Sequence, residues 1–241
     1  MSKIYEALRR AAEDRERTRR SPARPLVAVT PVERGDGREE EEYQKLRANL
    51  VSIAVPSGLH SILITAPRHG EGATTVAIGL ANALGSEREA RVLLLEANFR
   101  TPCFSAILPL ANEYGVVDFA AGRVTPDALA TRLDDSNFSV IAAGAGRGQP
   151  INLDVLDTLL ERLRPQFDFI VIDAPPVNGY ADASLLATKV DGVILVVEAD
   201  STPVADGEAA KRQLDKVGAR ILGVVLNRRR SYIPTFLESI L

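Results

Sequence analysis

Six short runs of almost unbroken Val, Ile and Leu dominate the chain from residue 60 onward, and stretches with helical periodicity separate them. The runs lie at residues 61–65, 92–97, 138–143, 169–174, 192–197 and 221–226. Runs that are apolar at nearly every position are typical of strands buried on both faces. Strands that alternate with helices predict βαβ units, so we expect an α/β protein with a mostly parallel sheet.

The remaining segments divide the chain in two. Helices are expected at 74–85, 152–164, 180–189 and 203–217. Before the first strand, residues 2–18 predict a short, weakly amphipathic helix, and 19–39 contain three prolines, GDG and a charge run, which are typical of a flexible linker. Another helix is expected to open with the acidic run from Glu39 to Glu42 and to continue through Leu50. We therefore predict an N-terminal helix and flexible linker (1–39) and an α/β domain (40–241).

The composition limits which cellular compartment and which binding partners we expect for this protein. The net charge of −3 gives no reason to expect nucleic acid as a partner. The single cysteine, Cys103, excludes an internal disulfide framework and fits a reducing compartment. Apolar runs such as Val193–Val197 are far shorter than the roughly 20 residues that span a bilayer, and the N-terminus lacks the apolar core of a signal peptide. We expect a cytoplasmic protein.

A glycine-bearing loop, APRHGEGATT at residues 66–75, joins the first predicted strand to a helix. A turn of this kind aims backbone N–H groups and the positive end of a helix dipole at one point, which suits a phosphate. The standard phosphate-loop pattern G-x-x-x-x-G-K-S/T requires Lys where this chain has Ala73 and Gly where it has Pro67. The interpretation is a phosphate loop without its lysine; the alternative is an ordinary strand-to-helix turn.

Two further segments occupy positions where a phosphate-binding fold needs acidic residues. Residues 169–173 form a hydrophobic run that ends in Asp173 before Ala-Pro-Pro, and this pattern resembles a Walker B strand whose carboxylate faces Mg²⁺ through water. In RVLLLEANFRTP, residues 91–102, Glu96 and Asn98 stand where the related pattern has two aspartates. The first acidic feature is intact and the second is altered.

Together these segments resemble the bacterial tyrosine kinases of capsule and exopolysaccharide synthesis, relatives of the chromosome-partitioning and division-site ATPases. The resemblance covers roughly residues 40–241 and rests on five blocks in the family's order: ITAPRHGEGATT, VLLLEANFRTP, FDFIVIDAPPV, YADASLLATKVDGVILVV and GVVLNRRRSYIP. It implies a three-layer α/β/α P-loop NTPase fold that binds ATP and Mg²⁺ and phosphorylates tyrosines in a C-terminal cluster. It also implies a membrane-anchored polysaccharide co-polymerase as partner, and hence a peripheral position at the inner face of the cytoplasmic membrane.

The resemblance assigns roles by position. The residues it implies for nucleotide binding are Arg68, Gly70, Glu71, Gly72, Ala73, Thr74, Thr75 and Asn227. Mg²⁺ would be held by Thr74 and Asp173, with Glu96 as a further ligand, and Asn227 would read the adenine. The pattern has no ammonium group at position 73 and no second carboxylate at Asn98.

Other parts of the kinase pattern have changed as well. Only Tyr232 stands near the C-terminus in place of a tyrosine cluster, and the family's E-x-x-R-x-x-R subunit-contact motif reads Glu41, Gln44, Arg47. A homo-oligomer is therefore left open. We interpret the chain as a degenerate member, a pseudokinase with weak or no tyrosine phosphorylation. The alternatives are an active autokinase in which Arg68 and Glu96 compensate, and a partitioning ATPase.

Overall fold

A computed structural model describes residues 26–31, 38–86, 90–110, 114–133, 138–144 and 152–229. Its centre is an eight-stranded sheet in the order β1-β8-β7-β2-β6-β3-β5-β4. The strands are β1 Leu26–Pro31, β2 Ser61–Thr65, β3 Val92–Glu96, β4 Thr131–Arg132, β5 Ser139–Ile141, β6 Phe169–Asp173, β7 Gly192–Glu198 and β8 Ile221–Arg229. All neighbouring strands pair parallel except β4, which runs antiparallel to β5.

Helices connect the strands. They are α1 Arg38–Ser57, α2 Ala73–Gly85, α3 Phe104–Ile107, α4 Val116–Ala120, α5 Leu153–Leu163, α6 Ala181–Ala187 and α7 Val204–Lys216, with a 3₁₀ turn at Pro126–Ala128. None of the helices within the described ranges is long and apolar enough to cross a membrane.

Two apolar clusters pack on opposite faces of the sheet. On one face, α1 and α2 cover alternate strand residues such as Ile62 and Ile64. On the other, α5, α6 and α7 cover the intervening residues, such as Leu63. Because successive residues of a strand point to opposite faces, an uninterrupted apolar strand serves both clusters. The predicted three-layer α/β/α fold with a mostly parallel sheet is confirmed.

The N-terminal part of the domain differs from the prediction. Residues 26–31 lie inside the segment predicted to be a flexible linker, but they form β1, an edge strand paired parallel with β8. The linker prediction is wrong there: LVAVT has the β-branched composition of a strand, and an edge strand tolerates the proline at its end. The helix predicted to open with the acidic run at 39–42 and to continue through Leu50 is longer in the structure, where α1 ends at Ser57. The predicted helix at 2–18 lies outside the described residues.

Candidate phosphate-binding site

The glycine loop follows β2, near the middle of the sheet, and ends where α2 begins. Gly70 and Gly72 have φ angles of +89° and +93°, in the left-handed region that favours glycine. The first hydrogen bond of α2 runs from the Val76 N–H to the Gly72 carbonyl oxygen, at 2.9 Å. The N–H groups of residues 73–75 precede that bond, so they have no carbonyl partner within the helix. This geometry is that of an anion cradle.

Thr74 and Asp173 meet below this cradle. The Thr74 hydroxyl donates a 2.9 Å hydrogen bond to Oδ2 of Asp173, while Oδ1 of the same carboxylate is buried without a hydrogen-bond partner among the described residues. Burial raises the pKa of Asp173 to about 7; the Thr74 hydrogen bond opposes the rise and the charge of Glu96 adds to it. A buried carboxylate oxygen beside a hydroxyl fits a hard cation such as Mg²⁺.

The donor set for a cation is small. No group of three or more His, Cys, Asp or Glu side chains in the described ranges is arranged to hold a metal ion. A cation here would therefore take its other ligands from water and phosphate oxygens, as Mg²⁺ commonly does. Thr74 and Asp173 are the two predicted ligands that the structure brings together.

Glu96 lies opposite Asp173 in the pairing of β3 with β6, but its carboxylate is engaged elsewhere. Oε1 accepts hydrogen bonds from the backbone N–H groups of Cys103 and Phe104, the second at 2.9 Å. Oε2 accepts one from Ala143, also at 2.9 Å. The carboxylate thus joins three chain segments, and a metal ion at Glu96 would have to compete with these bonds.

Asn98 also serves local structure. Its Oδ1 accepts hydrogen bonds from the Thr101 N–H, at 3.2 Å, and from the Thr101 hydroxyl, at 3.3 Å. These contacts stabilise the turn that follows β3. An amide cannot accept a proton as a carboxylate does, so Asn98 supplies no general base.

Ala73 is the first residue of α2 and packs at the edge of the cluster formed by α1, α2 and the sheet. A methyl group therefore occupies the position from which a phosphate-loop lysine reaches the β and γ phosphates. Of the neighbouring loop residues, Thr75 is exposed, and its carbonyl oxygen accepts a bond of 3.4 Å from the Tyr43 hydroxyl.

Glu71 is almost fully buried and connects the loop to the segment after β7. Its Oε1 accepts hydrogen bonds from Nε of Arg68, at 3.1 Å, and from the Thr202 hydroxyl, at 2.6 Å. Nη2 of Arg68 donates to the Ser201 carbonyl oxygen at 3.0 Å, and Nε lies 3.7 Å from a carboxylate oxygen of Asp206. Both charged side chains of the loop are thus engaged with each other and with the β7–α7 connection.

Asn227, near the end of β8, supports the loop from the other side. Its Nδ2 donates a 2.9 Å hydrogen bond to the Glu71 carbonyl oxygen, and its Oδ1 accepts one from the Arg228 N–H. A Cβ added to Gly72 would lie 2.0 Å from that Nδ2. Asn227 therefore contacts the phosphate loop, while its predicted contact with adenine stays a prediction.

Comparison with known proteins places this site in a family. The ParA family model, described as NUBPL iron-transfer P-loop NTPase, matches residues 59–238. Tyrosine-protein kinase CpsD of Streptococcus pneumoniae serotype 4 is 30% identical over 198 residues, which cover 79% of this chain and 85% of CpsD. The chain belongs to the bacterial tyrosine kinase family of P-loop NTPases.

A second relative and a solved structure agree with this assignment. Tyrosine-protein kinase YwqD of Bacillus subtilis is 25% identical over 210 residues, which cover 86% of this chain and 87% of YwqD. The crystal structure of the chimerical protein CapA2B2 superposes with a TM-score of 0.77 at 25% identity, over 86% of this chain and 95% of that one. The bacterial tyrosine kinase fold thus extends over most of this chain.

The sequence analysis missed several residues that the structure places in or near the site of this kinase-family protein. Thr202 and Ser201 contact the loop from a segment without a recognisable motif, so no sequence signal identified them. Arg100 donates a 2.8 Å hydrogen bond to Asp182 and lies 5.0 Å from the ring centre of Tyr180. Arg100 lies in the segment RVLLLEANFRTP, residues 91–102, and its position in that segment was the available signal.

Cys103 is the other missed residue. Burial raises the pKa of its thiol to about 11, and the charges of Glu96 and Asp173 add to the rise. The group is therefore a neutral thiol at physiological pH. It adds no positive charge to the site.

Proposed function

We propose that this chain is the kinase-like cytosolic component of exopolysaccharide or capsule biosynthesis, a pseudokinase that binds nucleotide weakly and lacks efficient tyrosine phosphorylation. Membership of the bacterial tyrosine kinase family supports the kinase-like part of the proposal. The phosphate cradle and the Thr74–Asp173 pair support binding of ATP with Mg²⁺.

The loss of chemistry rests on one observation, the alanine at the start of α2. Phosphoryl transfer depends on positioning and on electrostatic stabilisation of the charge that spreads over the transferred group. Without an ammonium group beside the terminal phosphates, we expect a rate lower by about a thousandfold, which corresponds to several kcal/mol of transition-state stabilisation.

The engaged side chains around the cradle add to this deficit. A kinase needs a group that takes the proton of the attacking hydroxyl. Glu96 accepts hydrogen bonds from three backbone N–H groups, and Asn98 is an amide. Neither residue is therefore placed to take the proton. An autokinase in which Arg68 and Glu96 compensate would have to break the contacts of both residues.

In this proposal the protein works through protein contacts at the inner face of the cytoplasmic membrane. The partner is a membrane-anchored polysaccharide co-polymerase, as the resemblance to the capsule kinases implies. Glu71 and Asn227 connect the phosphate loop to neighbouring segments of the chain. Nucleotide bound at the loop would therefore change those segments, and through them the contact between the two proteins.

Incubation with labelled ATP and Mg²⁺, followed by phosphotyrosine detection, tests the pseudokinase. We expect the wild-type chain to give no more label than the matched Asp173→Asn variant, which removes the candidate metal ligand. Robust labelling of the wild type alone, at Tyr232 for example, would overturn the proposal.

A partitioning ATPase is the second candidate, and the match of the ParA family model over residues 59–238 favours it. Such a protein needs sustained ATP hydrolysis, whereas a pseudokinase does not. Steady-state phosphate release by the purified chain separates the two functions. Turnover that is absent in Asp173→Asn would support the partitioning ATPase.

A further inference from the structure

We propose that the phosphate loop selects a nucleoside diphosphate over the triphosphate, so that ADP binds at least as tightly as ATP. The inference rests on the proposed function in one respect, that the loop binds nucleotide. It adds which nucleotide the site holds, and it follows from the charges that surround the cradle.

The cradle and a second feature point to the same ligand position. The N–H groups of residues 73–75 open α2, a helix of 13 residues, and suit a phosphate. Independently, Oδ1 of Asp173 is buried without a partner in the described part of the chain, next to the Thr74 hydroxyl. In phosphate loops the backbone N–H groups cradle the α and β phosphates, and the lysine reaches the β and γ phosphates. This chain keeps the first set of contacts and lacks the second.

The ionisable side chains nearest to the cradle on the sheet are acidic. Asp173 and Glu96 lie opposite each other on adjacent strands, and both are almost completely buried. Ala73 contributes no charge. A third phosphate group would therefore bring additional negative charge toward two acidic side chains without the cation that normally compensates it.

Three arginines that the structure describes near this edge of the sheet do not restore the balance, because each of them faces a carboxylate. The pairs are Arg68 with Glu71, Arg100 with Asp182, and Arg228 with Glu198. His69, the remaining basic residue of the loop, is exposed to solvent. A bound Mg²⁺ would offset charge in both complexes, but ATP would still carry one more negative charge than ADP.

Competition against a fluorescent ADP analogue on the full chain, with Mg²⁺ present, tests the inference. The expected order is ADP equal to or tighter than ATP, with AMP much weaker because it lacks a β phosphate. ATP binding several-fold more tightly than ADP would overturn the inference and leave nucleotide binding intact. AMP binding as tightly as ADP would also overturn it. Failure of all three nucleotides to bind would instead refute the proposed function.

Two substitutions at one position separate charge from size. Ala73→Lys should shift the ratio of the two dissociation constants toward ATP by about tenfold or more, because an ammonium group would contact the β and γ phosphates. Ala73→Met, with a similar length and no charge, should leave the preference unchanged. Equal shifts in both variants would contradict the electrostatic explanation.

Arg68 provides the last check. Arg68→Ala should leave the preference for ADP in place, since the guanidinium is held by Glu71 and the Ser201 carbonyl. A wild-type preference for ATP that disappears in Arg68→Ala would show that the arginine turns toward the phosphates, and would overturn the inference. Thermal unfolding of each variant confirms that it is folded under the conditions of the titration.

Discussion

Glu96 accepts a 2.9 Å hydrogen bond from the backbone N–H of Ala143, and this contact joins β3 to the segment that follows β5. The other carboxylate oxygen accepts the N–H groups at the start of α3. The carboxylate at this motif position therefore has a structural role, because it satisfies N–H groups that are shielded from water.

We expect Glu96→Asp to destabilise the fold by ~1–3 kcal/mol, because the side chain is one methylene shorter and would leave at least one buried N–H group unsatisfied. Urea unfolding of the two proteins measures the difference. The matched control is Glu161→Asp, the same change at an exposed position of α5, where we expect less than about 0.5 kcal/mol. Equal stability of Glu96→Asp and the wild type would show that the three bonds contribute nothing.

The contact between Glu71 and Thr202 should be measurable as a coupling. The Thr202 hydroxyl donates to Glu71 at 2.6 Å and accepts the Glu198 N–H at 2.8 Å. We expect Glu71→Gln and Thr202→Val each to lower the free energy of unfolding, and the double variant to lose less than the sum by ~0.5–2 kcal/mol. Asp206→Asn, which alters only a half-exposed ion pair with Arg68, should change stability by about 0–1 kcal/mol. Additive losses would mean that the two side chains act independently.

The sequence predicts the layers of this protein well and its side-chain contacts poorly. Strands such as β2 and β6 are apolar at almost every position, and a parallel sheet explains that pattern. β1 and β4 escape the same reasoning because one is flanked by prolines and the other has only two residues.

At the phosphate-binding site, too, part of the arrangement was predicted and part was not. The resemblance to the kinase family implied that Thr74 and Asp173 share one metal site, and in the structure the Thr74 hydroxyl donates a 2.9 Å hydrogen bond to Asp173. Motif position could not predict that Glu96 faces backbone N–H groups, because an extra methylene changes which donors a carboxylate reaches. Nor could it identify Thr202, which contacts Glu71 across 131 positions of sequence.

Gly72 should tolerate no side chain. Its φ is +93°, and a Cβ there would lie 2.0 Å from Nδ2 of Asn227. We expect Gly72→Ala to destabilise the protein by ~2 kcal/mol or more, from backbone strain and the clash together. Gly122→Ala is the matched control, since Gly122 has φ +71° and no heavy atom within 4 Å of an added Cβ, and strain alone should cost ~1 kcal/mol. Urea unfolding measures the loss of stability in Gly72→Ala and in Gly122→Ala.

The Asn227→Ala background tests whether the clash contributes. There the loss of stability caused by Gly72→Ala should fall toward that of Gly122→Ala, and an unchanged loss would exclude the clash.

The raised pKa of Asp173 makes a specific contribution to the pH dependence of stability. Burial raises this pKa from 3.8 to about 7, so between these values the folded protein binds a proton that the unfolded chain has released. The stabilisation is fully present below the unfolded pKa and is lost as the pH rises through about 7. Relative to Asp173→Asn, which cannot titrate, the free energy of unfolding of the wild type should fall by up to about 4 kcal/mol between about pH 4 and pH 8.

Urea unfolding of both proteins across this range measures the difference. Mg²⁺ should bind more strongly above pH 7, where the carboxylate is charged. If the difference in the free energy of unfolding between the two proteins does not change with pH, Asp173 is ionised throughout this range. Its charge would then be balanced by a contact other than the Thr74 hydroxyl.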